Sequence, residues 1–228
     1  MCGRFTLTAD GDTIQAHFDL TQPPTIQARY NIAPSQPVSV ITNDARHALT
    51  PMQWGLVPPW AKDPKIGYKM INARAETLHE KPSFKNAYKR RRCLIPASGF
   101  YEWTTTNNGK QPYYIHLTAE PVFAFAGLWA HWQNQEGDEL QTCTIITTTP
   151  NSLISDLHHR MAVILPPEQY DDWLDPTERQ PDTLAPLLQP YQAAAMDAYP
   201  VSIRVNNVKN DLPDLIQPHQ PPQQPSLF

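Results

Sequence analysis

The chain carries three cysteines in 228 residues, Cys2, Cys93 and Cys143. So few and so scattered, they exclude a disulfide framework and a C-x-x-C zinc site. No apolar run approaches the ~20 residues of a membrane span, and the N-terminus lacks a charged-then-apolar leader, so the cytoplasm is the expected compartment. Charge of either sign is not in large surplus: 18 Lys and Arg face 22 Asp and Glu, a formal net charge of −4. That balance argues against indiscriminate nucleic-acid binding. One stretch departs from it. Lys81, Lys85, Lys89, Arg90, Arg91 and Arg92 follow one another with no carboxylate between them. They read either as a solvated helix face or as a phosphate-tracking patch.

Proline is abundant, at 25 residues, which predicts many loops and short elements rather than long helices. Alternation predicts strands over 1–8, 37–42, 52–57, 93–96, 112–117, 122–129, 141–148, 161–165 and 199–205. Asn107-Asn108-Gly109-Lys110 suits a hairpin turn. Short helices are expected over 12–19, after Thr77 through the basic cluster, near 150–152, and over 167–174 and 183–188. Residues 29–35 read as a loop. The fold class is therefore α+β and β-rich, with a curled antiparallel sheet or barrel-like core and short helices around it. A single domain is expected over 1–216, followed by a disordered Pro/Gln-rich tail over 217–228.

The chemistry concentrates at the start, Met1-Cys2-Gly3-Arg4-Phe5. With Met1 removed, Cys2 has a free α-amine and a thiol on adjacent carbons, titrating near ~7.7–8.0 and ~8.5 in free form. An aldehyde can form an imine with the amine, and the thiol can then close a five-membered thiazolidine. An interior cysteine cannot do this, because its nitrogen is an amide. A frayed terminus is the plainer reading of the same residues.

Seven stretches in order resemble the SOS-response-associated peptidase (SRAP) family. They are Met1 to Phe5, Tyr30-Asn31-Ile32-Ala33-Pro34, Trp54-Gly55-Leu56, Ile71-Asn72-Ala73-Arg74-Ala75-Glu76, Gly99-Phe100-Tyr101-Glu102-Trp103, Leu157-His158-His159-Arg160-Met161 and Val208-Lys209-Asn210. The resemblance implies a sensor of abasic sites in single-stranded DNA, nucleoid-associated, that forms a thiazolidine cross-link through Cys2 and removes Met1 by self-processing. It places Asn72, Glu102 and His158 beside Cys2 as catalytic residues. It places Arg4, Asn31, Pro34, Trp60 and Arg74 on the DNA, with no metal and no cofactor. His159 and Ala162 stand where an Asp and a Pro are usual in the family.

Four of these assignments have a structural alternative. Glu102 can be a strand carboxylate facing solvent, and His158 a capping or core histidine. Arg74 can pair with Glu76 or Glu80, and Trp60 can anchor the core. The adjacent histidines lack the helical spacing of metal ligands. Gln224-Pro225-Ser226-Leu227-Phe228 resembles the peptides that bind the bacterial sliding clamp through Gln224, Leu227 and Phe228. A monomer is expected. Two other functions fit the same residues, a cysteine peptidase acting on proteins and a non-catalytic single-strand binder.

Overall fold

A computed structural model describes residues 2–107 and 109–219. The proposed clamp contacts Gln224, Leu227 and Phe228 lie outside the described residues. The strands in chain order are β1 Phe5–Leu7, β2 Arg29–Ile32, β3 Pro37–Thr42, β4 Ala45–Trp54, β5 Asn72–Arg74, β6 Arg92–Ala97, β7 Gly99–Thr106, β8 Gly109–Leu117, β9 Phe123–Gln133, β10 Glu139–Thr148, β11 Met161–Ala162, β12 Ile164–Leu165 and β13 Met196–Pro200. The helices are short, α1 over Gly11–Phe18 and α2 over Lys85–Arg90 among them.

Five strands close on themselves. β10 pairs with β4, β4 with β3, β3 with β6, β6 with β9, and β9 returns to β10. A barrel this small is filled by side chains. On β9 the alternation is plain: Leu128, Ala130 and Trp132 are buried, while Trp129 and His131 are partly exposed. A second sheet runs in the order β13-β8-β7-β1-β2 and lies against the barrel. Phe5 of β1 meets the rings of Trp54 and Phe125 edge-on, at 5.2 and 5.8 Å. Those contacts fasten the start of the chain to the barrel core.

Several expectations differ from the structure. Arg29 to Ile32 is a strand, because it pairs with β1 at Phe5↔Ile32 and Leu7↔Arg29. The last strand ends at Pro200, and Ile203–Asn206 is a 3-10 helix. β10 pairs in parallel with both β4 and β5, in what was expected to be an antiparallel sheet. The chain also stays bonded to the body beyond residue 216: Val201 bridges Pro218, and His219 N–H donates to Pro200 O at 2.8 Å.

The basic cluster divides by burial. Arg92 is fully buried, and its guanidinium donates to the carbonyls of Trp173, Tyr88, Lys89, Asp175 and Thr177. It fastens the segment after α2 to the 173–177 turn. Arg90 and Lys89 share Glu178, and Arg91 lies over the Trp129 ring at 5.7 Å. The stretch is therefore largely occupied by its own chain.

Candidate functional site

Cys2 is buried where the second sheet meets the barrel's outer strand β5. Its carbonyl accepts a hydrogen bond from Asn72 Nδ2 at 2.8 Å. Asn72 opens β5, held in parallel register against Ile145 of β10. The other end of the amide, Asn72 Oδ1, is buried with no hydrogen-bond partner. A native fold seldom leaves such an acceptor idle, and a ligand or water donor is the usual remedy. Burial drives the Cys2 thiol far above its ordinary range, and the charge of Glu102 adds to that.

Glu102 comes from β7. On this strand Phe100 and Glu102 share one face, with Phe100 against Phe125 at 5.8 Å. Tyr101 turns the other way, its hydroxyl donating to Tyr30 O at 2.7 Å. That alternation drives Glu102 inward, to 2% exposure. Burial pushes its carboxyl from 4.5 up to about 7, so near neutrality it both holds and releases a proton. The solvent-facing alternative for Glu102 does not hold.

His158 follows a short helix, Ser152–Ser155. Its Nδ1 lies 3.0 Å from the backbone N–H of Arg160 and 3.1 Å from that residue's carbonyl. Burial lowers its pKa, the chain's positive amino terminus, His159 and Arg160 lower it further, and the Arg160 carbonyl opposes them. The flanking arginine fixes this loop. Arg160 donates to both Glu76 oxygens, at 2.6 and 2.9 Å, and to Thr147 O at 2.6 Å.

That pairing decides the case of Arg74. Glu76 is taken by Arg160, and Arg74 stands exposed with no hydrogen bond or close ion pair among the described residues, although its charge helps Arg160 hold the Glu76 carboxyl down. Arg4 is half-buried. Its Nη1 donates to Asn31 Oδ1 at 2.7 Å and Val205 O at 2.8 Å, and its guanidinium lies 5.8 Å from the Trp103 ring centre. Asn31 is fully buried, and its amide nitrogen donates to Val205, Asn207 and Asn210 carbonyls. Asn31 thus holds Arg4 from below and has no amide face turned to a ligand. Pro34 is half-buried beside Ser35, whose φ of 70° forms a tight turn bonded to Trp54 O.

Trp60 is 58% exposed and does not anchor the core. It separates two surface clefts of about 780 and 400 Å³, the second flanked by Lys62, Lys65 and Lys69. Trp132 supports the loop from beneath by donating from Nε1 to Ala61 O at 2.7 Å. Gly55 and Gly67 brace it further, since a Cβ on either would meet the other's carbonyl oxygen at 2.6 Å.

Sequence reasoning missed Arg160, Trp103 and Asp211. Asp211 accepts from Arg29 and from the backbone of Tyr30 and Asn31, which explains why a polar 208–211 turn sits beneath Arg4. Among the described residues no group of three or more His, Cys, Asp or Glu is placed to hold a metal ion. Among the described residues no helix is long and apolar enough to cross a membrane.

Comparison with known proteins finds relatives along most of the chain. The chain is 51% identical over 224 residues to abasic site processing protein YoqW of Bacillus subtilis, covering 96% of this chain and 100% of that one. It is 35% identical over 200 residues to abasic site processing protein HMCES of Gallus gallus, covering 77% of this chain and 59% of that longer protein. The crystal structure of a protein from Bacteroides thetaiotaomicron matches with a TM-score of 0.86 at 29% identity, over 96% of this chain and 100% of that one. The family model for SOS response associated peptidase (SRAP) matches residues 1–208. That span contains the buried Cys2, the amide that grips its carbonyl, the raised carboxyl of Glu102 and the His158 loop, and the chain belongs to this family.

Proposed function

We propose that the protein recognises abasic sites in single-stranded DNA and captures them covalently through Cys2. The observation that carries this reading is the grip of Asn72 on the Cys2 carbonyl beside a carboxyl held near neutrality. Once Met1 is gone, the α-amine adds to the C1′ aldehyde of the ring-opened sugar. The carbinolamine loses water, with Glu102 delivering the proton to the departing hydroxyl. Sγ then bonds to the imine carbon and the thiol proton passes to nitrogen, closing the thiazolidine. Water is the only by-product, and no redox step is involved.

His158 carries the proton between sugar oxygens as the hemiacetal opens. The orphan Oδ1 of Asn72 receives the α-amine or a sugar hydroxyl. Arg74 and the free nitrogens of Arg4 meet flanking phosphates, and Trp60 stacks on an exposed base, with Pro34 at the kink. Asn31 acts here as the support of Arg4.

The thiol's burial supports this route over a protein-cleaving thiolate peptidase, which needs a depressed cysteine pKa. An amine-first mechanism has no such need. The peptidase activity is proposed to be limited to release of Met1.

The test is a denaturing gel after incubation with single-stranded DNA carrying one abasic site. A heat-stable shifted band is expected, absent with intact DNA, with Cys2→Ala, and after blocking of the α-amine. A band that survives the blocked amine would refute the thiazolidine route. The tail reading remains a proposal of its own: full-length protein should retain the sliding clamp in a pull-down, and a chain ending at Gln223 should lose it.

A further inference from the structure

Val208-Lys209-Asn210 takes no part in the chemistry at Cys2, yet the turn that carries it is held from several sides. It follows the 3-10 helix over Ile203–Asn206. Asn31 Nδ2 donates to the carbonyls of Val205, Asn207 and Asn210 at 3.2, 3.1 and 2.7 Å. Trp103 Nε1 donates to Asn206 Oδ1 at 2.7 Å, and Asn210 Nδ2 donates to Arg204 O at 2.8 Å. The Asp211 carboxylate closes the turn by accepting from Arg29 and from the backbone of Tyr30 and Asn31. Between these ties the backbone N–H of Lys209 donates to Asn207 Oδ1 at 3.1 Å. A surface turn fixed at so many points has little backbone freedom left to lose on binding.

The same turn meets Arg4. Arg4 Nη1 donates to Val205 O at 2.8 Å, and Trp103, which ties Asn206, also lies 5.8 Å from the Arg4 guanidinium. Charge is unevenly settled here. Arg29 pairs with Asp211, and Arg204 pairs with Asp214. Arg4 and Lys209 are left with no carboxylate partner among the described residues, and Lys209 is exposed. The carbonyls of Val205, Asn207 and Asn210 are engaged by Asn31 and Arg4 rather than by the lysine. An ammonium carried on a fixed backbone and left to solvent suits a phosphodiester, which it meets as a point charge.

We infer that Lys209 contacts the DNA backbone, so that the 206–211 turn and Arg4 form one phosphate-binding wall near Cys2. This deepens the proposed function and rests on its reading of Arg4 as a DNA contact. The lysine reads no base. It adds affinity for the strand and leaves the chemistry at Cys2 unchanged.

The experiment measures filter binding of the full chain to an intact single-stranded oligonucleotide across a salt series, so that binding is reversible. Lys209→Ala should make the salt slope shallower by about 0.7 and weaken binding about five-fold at 0.1 M salt. Lys209→Arg should keep the wild-type slope. Lys85→Ala, at an exposed lysine of α2, should keep it too. With abasic DNA, Lys209→Ala should need about five-fold more DNA for half-maximal cross-linking and reach the wild-type limiting rate. A wild-type slope in Lys209→Ala overturns the inference, and so does an equal change in Lys85→Ala, which would mark a loss of net charge alone. If Arg4→Ala flattens the slope while Lys209→Ala does not, the inference fails and the DNA reading stands. If wild type neither binds the oligonucleotide nor cross-links abasic DNA, the DNA reading fails and the inference falls with it.

Discussion

Replacing Glu102 with Gln should make the protein more stable and less active, and the gain in stability should depend on pH. Gln keeps the shape and removes the charge. In the folded chain the carboxyl is 2% exposed and sits at about 7 rather than 4.5. The unfolded chain releases that proton earlier, so between these two values the folded state binds more protons. Stability therefore falls as pH rises through the window. At about 1.4 kcal/mol per factor of ten, the ionisable side chain costs about 1 kcal/mol at pH 5 and about 3 kcal/mol at pH 7. The advantage of Glu102→Gln should thus grow by about 2 kcal/mol across that interval, or about 4–8 °C in melting temperature for a chain of this size. Paired urea titrations at half-unit pH steps measure it. A difference that stays flat with pH would mean the carboxyl is not raised, and the proton-delivery role would lose its physical basis.

The other predictions separate support from contact. Arg92→Met leaves the carbonyls of Trp173, Tyr88, Lys89, Asp175 and Thr177 without their shared donor, so urea unfolding should show a loss of at least about 3 kcal/mol. Arg74→Ala should change stability by less than about 0.5 kcal/mol, while filter binding to single-stranded DNA should show a salt slope shallower by about one charge. An unchanged slope would remove Arg74 from the interface. Trp60→Ala should likewise fold normally and weaken DNA binding by about 1–3 kcal/mol, whereas equal binding would show the exposed ring to be idle.

Much of the barrel was legible because its strands alternate. The predicted strands at 112–117 and 141–148 lie within β8 and β10. Closure of the ring was not legible. It depends on Thr142 and Cys143 pairing in parallel with Gln53 and Trp54, and no local periodicity encodes a partner that far along the chain. Arg29 to Ile32 failed for a similar reason, since its extended form comes from pairing with β1 rather than from its own polar composition. In the candidate site, the burial of Glu102 was readable from residue chemistry, because aromatic flanks and strand alternation imply it. The roles of Arg92 and Asn31 were not. A charge run looks alike whether its last member is solvated or enclosed by five carbonyls, and an asparagine in a polar motif looks alike whether it meets DNA or holds an arginine. The stacking of His158 and His159 lies between these cases: adjacency was visible, but the face-to-face geometry needed the loop that Arg160 ties to Glu76.

The seat of Cys2 has a consequence for how the site is assembled. Its carbonyl is gripped by Asn72, and the strand just after it pairs with Phe100. Glu102 and the His158 loop lie farther along the chain still. None of these partners is a sequence neighbour of Cys2. Its surroundings therefore exist only in the folded chain, and loss of the fold dismantles all of them together.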